Sequence, residues 1–214
     1  MYMVFFKRPE GETPQEFGER LRVLAEKVAA DRSATTVLLH VQDDRTGAPP
    51  GASFEDRDFD GALTVDGVGL DALPDGDATY AVTRRIIKLR RRTGDGARTP
   101  GFTIVCPSIR ASFLTHEQYD AHWRDNHSKI HVASSPGTCH YEQYTVTEVL
   151  TPGAPQVDGY GWLCFASAED WETGLFDGEE GEQRIMDDVV RFLDTSRYAT
   201  FASTEYVYRD EATT

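Results

Sequence analysis

Cysteine is scarce in this chain, with three residues in 214: Cys106, Cys139 and Cys164. Their odd number, wide spacing and strand-like surroundings exclude a disulfide framework and a zinc site, and fit buried reduced thiols in a cytosolic protein. Long apolar runs are also missing, so no segment reads as a membrane span. The opening run Met1-Tyr2-Met3-Val4-Phe5-Phe6, followed by Lys7-Arg8-Pro9, is too short and wrongly flanked for a signal peptide. The expected location is the cytoplasm. Positive charge is in deficit, 22 Lys and Arg against 36 Asp and Glu, for a net charge of -14. Such a balance repels phosphate backbones and anionic membranes, which excludes nucleic-acid binding as the main role. No phosphate-cradling Gly loop, nucleophile elbow or dinucleotide fingerprint occurs.

What is present is a repeat. Thr13-Pro14-Gln15-Glu16-Phe17 opens one helix-like stretch and Thr115-His116-Glu117-Gln118-Tyr119 opens another 102 positions later. Both place Thr at the N-cap with Glu or Gln three residues on, the pattern of a capping box. In the first copy Phe17, Leu21, Leu24, Ala25 and Val28 recur at helical spacing, while Pro14 takes the first helical position. Strand-like runs cover Met1–Phe6, 34–41, 59–65 and 79–89, with a rudimentary helix at 70–73. The second copy has strands at 102–108, 139–150, 160–166 and 201–208, a helix from His116 to about Ala133, and helical matter over 168–193.

The spacing of 102 extends to the third strand, pairing 59–64 with 161–166. It then becomes 121 between Thr79 and Thr200, so the second copy has roughly 19 extra residues for a full second helix. The expected fold is α+β: two tandem ferredoxin-like β-α-β-β-α-β units, one per copy. The boundaries are 1–92, a linker at 93–101, and 102–210. Tyr160-Gly161-Trp162-Leu163-Cys164-Phe165-Ala166 is apolar on both faces, as expected for a strand covered on both sides. Two facing four-stranded sheets would make an intramolecular barrel with its cavity between them.

Two local stretches carry alternative readings. Arg84, Arg85, Lys88, Arg90, Arg91, Arg92 and Arg98 form either a solvated strand edge and linker or a docking patch for an acidic partner. The segment around Trp171 and Phe176, with Gly174, Gly178, Gly181 and four acidic residues, is too Gly-rich for a steady helix. It reads as a solvated loop, or as a mobile lid over a pocket.

The second copy resembles the EthD family of the dimeric α+β barrel superfamily. The resemblance rests on Leu114-Thr115-x-x-Gln118-Tyr119-x-x-x-Trp123-x-x-x-His127, on Asp158-Gly159 before an aromatic strand, and on Asp188-x-x-x-Phe192-Leu193-Asp194. In the first copy Leu21 and Ala25 stand where Trp123 and His127 do. The resemblance implies action on polyketides or other hydrophobic aromatic metabolites, often as a dehydratase or cyclase without a cofactor. Related barrels include cofactor-free monooxygenases and haem enzymes, so the fold does not select the reaction.

His127 shares a helical face with Tyr119, Trp123 and Ile130, the apolar one. It is either a satisfied core side chain or an acid/base aimed into a cavity, since imidazole can give and take a proton near neutral pH. His122, about 100° from Trp123, reaches the flank of that face as a possible assistant. His131 follows His127 by four, but the zinc-protease Glu is absent and no metal site is expected, while haem needs only one histidine. In the strand from Cys139, His140, Glu142, Tyr144, Val146 and Glu148 share one face and Tyr141, Gln143, Thr145 and Thr147 the other. Tyr141, Tyr144 and Tyr206 are candidate donors to a substrate carbonyl or phenol. Tyr119, Trp123 and Trp162 complete the candidate substrate contacts.

The reading from sequence is therefore a cofactor-independent acid/base enzyme for a small hydrophobic substrate, monomeric or homodimeric. A monooxygenase and a non-catalytic binding protein are the alternatives. One pocket per chain is expected, in the second copy.

Overall fold

Each half begins its main helix with the predicted capping box. At the start of α1 (Pro14–Ala29) Glu16 N donates to Thr13 Oγ1 at 3.2 Å and Thr13 N donates to Glu16 Oε2 at 2.9 Å. At the start of α2 (His116–His122) the Thr115–Gln118 pair repeats this at 3.3 and 2.9 Å. The second helix then departs from the first, passing through a π-helical turn at Trp123–His127 into α3 (Ser128–Ser134). The Ser128 amide reaches back five residues to the Trp123 carbonyl. The computed structural model describes residues 1–53, 57–196 and 199–212.

The strands are β1 (Tyr2–Phe6), β2 (Thr36–Val41), β3 (Gly61–Asp66), β4 (Ala78–Lys88), β5 (Phe102–Ser108), β6 (Thr138–Val149), β7 (Gly159–Phe165) and β8 (Phe201–Asp210). They form a closed antiparallel barrel in the order β1-β3-β2-β8-β5-β7-β6-β4. Within it the first half reads β4-β1-β3-β2 and the second β8-β5-β7-β6, the same order twice. Each half's second strand pairs with the other half's fourth, so the seams β2·β8 and β4·β6 leave no sheet edge open. A single 3₁₀ turn at Leu70–Ala72 precedes β4, whereas α4 (Ala168–Gly174) and α5 (Gly178–Val189) precede β8. The extra residues of the second half are thus helical, and the loop or lid expected around Trp171 and Phe176 is corrected. Burial of Trp171 against Phe165 (5.1 Å) and Phe102 (6.3 Å) outweighs the helix cost of the glycines.

The spacing between the copies also needs correction. Gly61 lies opposite Phe6 and Val41, as Gly159 lies opposite Ser108 and Thr145. The third strands therefore correspond with a shift of 98 (159 against 61), not 102, and the second strands with a shift of 104 (145 against 41). The longer second helix with its π turn adds residues before β6, and the long loop after β2 takes them back. In this register Val37 and Leu39 of the first half correspond to Tyr141 and Gln143 of the second.

Among the described residues the space between the two sheets is filled apart from about 10 Å³ beside Arg92, His140 and Glu205, contrary to the expectation of a substrate cavity there. Large side chains on the inward pleat fill one end of the barrel: Phe5, Tyr80, Tyr144, Tyr160, Trp162 and Phe201 are all buried. The other end is ionic. Arg84 Nη2 reaches Glu142 Oε1 at 2.5 Å and Asp210 Oδ2 at 2.8 Å. Arg92 Nη2 lies 2.7 Å from Glu142 Oε1, and its Nη1 lies 3.1 Å from Glu205 Oε1. His40 Nε2 approaches Glu205 Oε1 at 3.2 Å. The cations and His40 come from the first half, while the carboxylates come from the second half. Burial alone would raise the Glu205 carboxyl, but the Arg92 guanidinium outweighs it and holds the group at about 2.

These pairings correct the reading of Arg84 and Arg92 as part of a solvated strand edge or docking patch. Arg84 and Arg92 are inside the barrel, Arg85 is bonded to Asp120 at 2.6 Å, and Arg98 is bonded to the Arg45 carbonyl at 2.9 Å. Of the seven cations, Arg84, Arg85 and Arg92 are thus paired with carboxylates.

Candidate active site

Residues alternate faces along a strand, so the outward pleat of β5, β6 and β7 meets the helices of the second half. Ile104, Cys106, Tyr141, Gly161 and Leu163 make a floor. Trp123, His127 and His131 cover it from one side, and Leu175, Phe176, Ile185, Met186, Val189 and Phe192 from the other. The space between them is about 290 Å³ and predominantly apolar. Burial pushes the Cys106 thiol in this floor up to about 12, so it stays a neutral thiol.

The sharpest polar feature of the wall is a shared carboxylate. Asp188, buried on α5, accepts from His127 Nδ1 at its Oδ2 (2.9 Å) and from His122 Nε2 at its Oδ1 (2.9 Å). Phe192 packs against both imidazoles, at 5.0 Å from His122 and 4.9 Å from His127. Burial would raise the Asp188 carboxyl, yet the hydrogen bonds from the two histidines outweigh it and hold the group below its ordinary value. An ionised Asp188 accepts from His127 Nδ1, so Nε2 is the ring nitrogen left for a substrate. His131 is pushed down to about 3, chiefly by burial and then by His127 and Lys88, and is a neutral ring at ordinary pH.

A second polar cluster stands deeper. The Tyr141 hydroxyl accepts from Trp123 Nε1 at 3.0 Å and from Gln143 Nε2 at 3.0 Å. Gln143 Nε2 also donates to the Trp123 carbonyl at 3.1 Å, and its Oε1 accepts from Arg85 Nε at 3.3 Å. Gly159 makes room for this arrangement: a Cβ there would come within 2.5 Å of the Trp123 ring and 2.7 Å of the Tyr144 carbonyl oxygen. That close approach is a physical reason for glycine in the Asp158-Gly159 pair.

The structure brings His127, His122, Trp123 and Tyr141 together. Tyr119 stands behind Trp123, at 5.5 Å between ring centroids, and supports the wall without facing the cavity. Tyr144 and Trp162 lie on the inward pleat with the barrel interior, one residue out of phase with Tyr141 and Gly161, and do not share this cavity. The Tyr144 hydroxyl donates to Glu142. Tyr206 lies on the far side of the molecule under α1, donating to Asp43 at 2.7 Å. His122 does not line the cavity, since its Nε2 is spent on Asp188. Asp188, Gln143 and the α4–α5 wall are the participants that residue-level reading undervalued. Only the spacing of Asp188 to Phe192 in the family motif pointed to the first. Among the described residues no group of three His, Cys, Asp or Glu side chains is arranged to hold a metal ion. None of the described helices is long and apolar enough to cross a membrane.

Fold and site together define an α+β barrel of two fused halves, with a helix-covered, small-molecule-sized cavity on the second half. Residues 112–196 match the family model of the EthD domain, and that stretch supplies most of the residues that line the cavity. A crystal structure of an anthrone oxidase-like protein shares the fold at a TM-score of 0.53 and 12% identity, over 96% of this chain and 89% of that one. No curated protein matches the chain.

Proposed function

We propose that the protein is an acid/base enzyme of dehydratase or cyclase type, acting on a small hydrophobic aromatic or polyketide-like metabolite. The observation that carries this reading is the His127–Asp188 hydrogen bond of 2.9 Å at the wall of an apolar cavity of about 290 Å³. His127 Nε2 takes a proton from bound substrate, and the buried Asp188 carboxylate stabilises the imidazolium that forms. The same imidazolium returns the proton to a leaving hydroxyl. His122 is a positioning residue, holding the second carboxylate oxygen so that the first stays on His127. The apolar walls supply affinity and exclude water.

The reading calls for no cofactor. Among the described residues no Lys or Arg lines this space to pair with the two propionates of a haem. A second reading, oxygenation, is favoured by the shared fold with the anthrone oxidase-like protein. The same base would then generate a carbanion that reduces oxygen directly.

The test is hydrogen exchange. Incubated in D2O with 2-tetralone, an enolisable aromatic ketone, the wild-type protein should accelerate deuterium entry at the α-carbon, followed by NMR. His127→Ala should abolish the acceleration while circular dichroism stays unchanged. Equal exchange in the variant, or binding of the ketone with no exchange by the wild type, would overturn the assignment. Oxygen uptake with anthrone would identify the oxygenase reading.

A further inference from the structure

The Tyr141 cluster has no counterpart that the fold requires. The corresponding positions of the first half are Leu21 for Trp123, Val37 for Tyr141 and Leu39 for Gln143, all three buried hydrocarbon in one core cluster. The same strand order and the same capped helix therefore close with no polar atom at these places. Burying a tyrosine, an amide and an indole there instead costs desolvation unless every group is satisfied.

The donors and acceptors of the cluster can be counted without ambiguity. Indole Nε1–H only donates. The Gln143 amide is oriented twice over: its oxygen faces the Arg85 guanidinium and its nitrogen faces the Trp123 carbonyl, so Nε2 is a donor to Tyr141 as well. The Tyr141 oxygen therefore accepts two hydrogen bonds, which occupy both of its lone pairs, and its own proton takes the remaining direction. No described residue accepts that proton in a hydrogen bond, and Tyr141 lines the cavity beside the His131 ring, at 4.6 Å between centroids.

From this we infer that Tyr141 is a catalytic hydrogen-bond donor, aimed at an oxygen of the substrate, and that the substrate class is an uncharged aromatic compound with a carbonyl group beside the carbon that His127 deprotonates. Burial raises the phenol above its ordinary value, against the lowering effect of the Gln143 and Trp123 bonds, so it remains an O–H donor at neutral pH. Among the described residues no Lys or Arg lines the cavity, which fits an uncharged substrate. In the step itself, the C–H bond next to the carbonyl breaks and its proton goes to His127 Nε2. Its electron pair forms a C=C bond while the carbonyl π pair moves to oxygen, where the Tyr141 O–H meets the growing negative charge. Collapse of this enolate expels a β-hydroxyl, which leaves as water with the proton from His127. The incoming bonds from Trp123 and Gln143 polarise the Tyr141 O–H in the direction that the enolate needs.

This inference rests on the acid/base reading, and a binding experiment separates the two. 9-Fluorenone and fluorene have nearly the same shape and differ in carrying C=O or CH2. The wild-type protein should bind the ketone roughly tenfold more tightly, the order expected of one good hydrogen bond that would otherwise go unmade. Tyr141→Phe should bring the ratio to about one, and His127→Ala should leave it at its wild-type value. In the wild-type complex the fluorenone carbonyl stretch should move to lower frequency, a readout that stands even where Tyr141→Phe folds poorly. An equal affinity for both ligands in the wild type, no carbonyl shift, or an unchanged ratio in Tyr141→Phe would overturn the inference. Loss of 2-tetralone exchange in His127→Ala alongside a retained ratio would keep both readings, whereas a retained ratio with unaffected exchange would overturn only the acid/base role of His127.

Discussion

The two helix-covered faces of the barrel are built on one plan and finished differently. Under α1, Leu21 and Phe17 press on Gly61 so closely that a Cβ there would lie 2.7 Å from the Leu21 side chain, and Val37 and Leu39 complete a hydrocarbon seal. Under α2 and α3, Trp123, Tyr141 and Gln143 take the corresponding places, and about 290 Å³ remains open beside them. Two local differences produce the opening. The π turn at Trp123–His127 lengthens the helix, and α5, packed on α3, adds a second wall that the first half lacks. Such turns occur often at functional sites because the extra residue re-aims side chains. The first face shows what the fold needs for stability, so the polar groups of the second are available for chemistry.

The comparison breaks most visibly at His127 and its counterpart Ala25. His127→Ala makes the second face resemble the first and should lower the rate of the proposed proton transfer by about 10²–10⁴, roughly 3–5 kcal/mol of barrier. The melting temperature, measured by calorimetry, should fall by only a few degrees, the cost of removing one donor from the buried Asp188 carboxylate. Leu21→Ala should do the reverse. Its side chain is fully enclosed, so truncation should cost about 2–5 kcal/mol of stability in urea unfolding. The same variant should leave the fluorenone-to-fluorene ratio alone. A rate loss in Leu21→Ala larger than its loss of folded protein explains would couple the two faces and undo the division of labour.

A single buried side chain across the seam tests whether the halves are one folding unit. Arg84 of β4 joins Glu142 and Asp210 of the second half, and all three side chains are almost entirely buried. Removing one partner of such a group leaves uncompensated charge, so Arg84→Met should cost roughly 3–5 kcal/mol. Both halves should unfold in one transition, followed by Trp fluorescence for the second half and far-ultraviolet circular dichroism for the whole. Gly159→Ala should have a smaller effect, about 1–3 kcal/mol, because the Trp123 ring must give way to the new methyl. It should weaken ligand binding as well, whereas a substitution at Gly61 would affect stability only.

The succession of strands along the chain, both capping boxes and the one-sided placement of His127 were legible in the sequence, since local capping chemistry and period-two patterns leave marks in short windows. The location of the cavity was not. Tyr141 and Tyr144 differ by one odd step in the pleat, and that step decides between the helix-covered face and the barrel interior. Only the closure of the barrel shows which pleat is inside. The ionic interior was hidden for a similar reason: Arg84, Arg92, Glu142, Glu205 and Asp210 lie far apart in the chain, and each reads alone as a solvated charge. The copy register misled in the third strand because compensating length changes before and after β6 restore a near match.

Asp188 provides the finest test of the difference between the faces, because α5, which bears it, is missing from the first half. Its carboxyl is held below its ordinary value by the two imidazoles. A carboxyl whose folded value is depressed binds fewer protons in the folded than in the unfolded chain, so stability is fully present above the unfolded value, near pH 4, and drains away as pH falls through the lower folded one. Asp188→Asn removes this contribution. The variant should be less stable than the wild type at pH 6 by about 1–2 kcal/mol, the range for hydrogen bonds to a charged group, in urea unfolding. The gap should stay level down to about pH 5 and narrow below pH 4, as the wild-type carboxyl itself protonates. A gap that widens on acidification would mean that Asp188 is not ionised between the two histidines. His127 would then lose the partner that fixes its tautomer, and the second face would have no more acid/base capacity than the first.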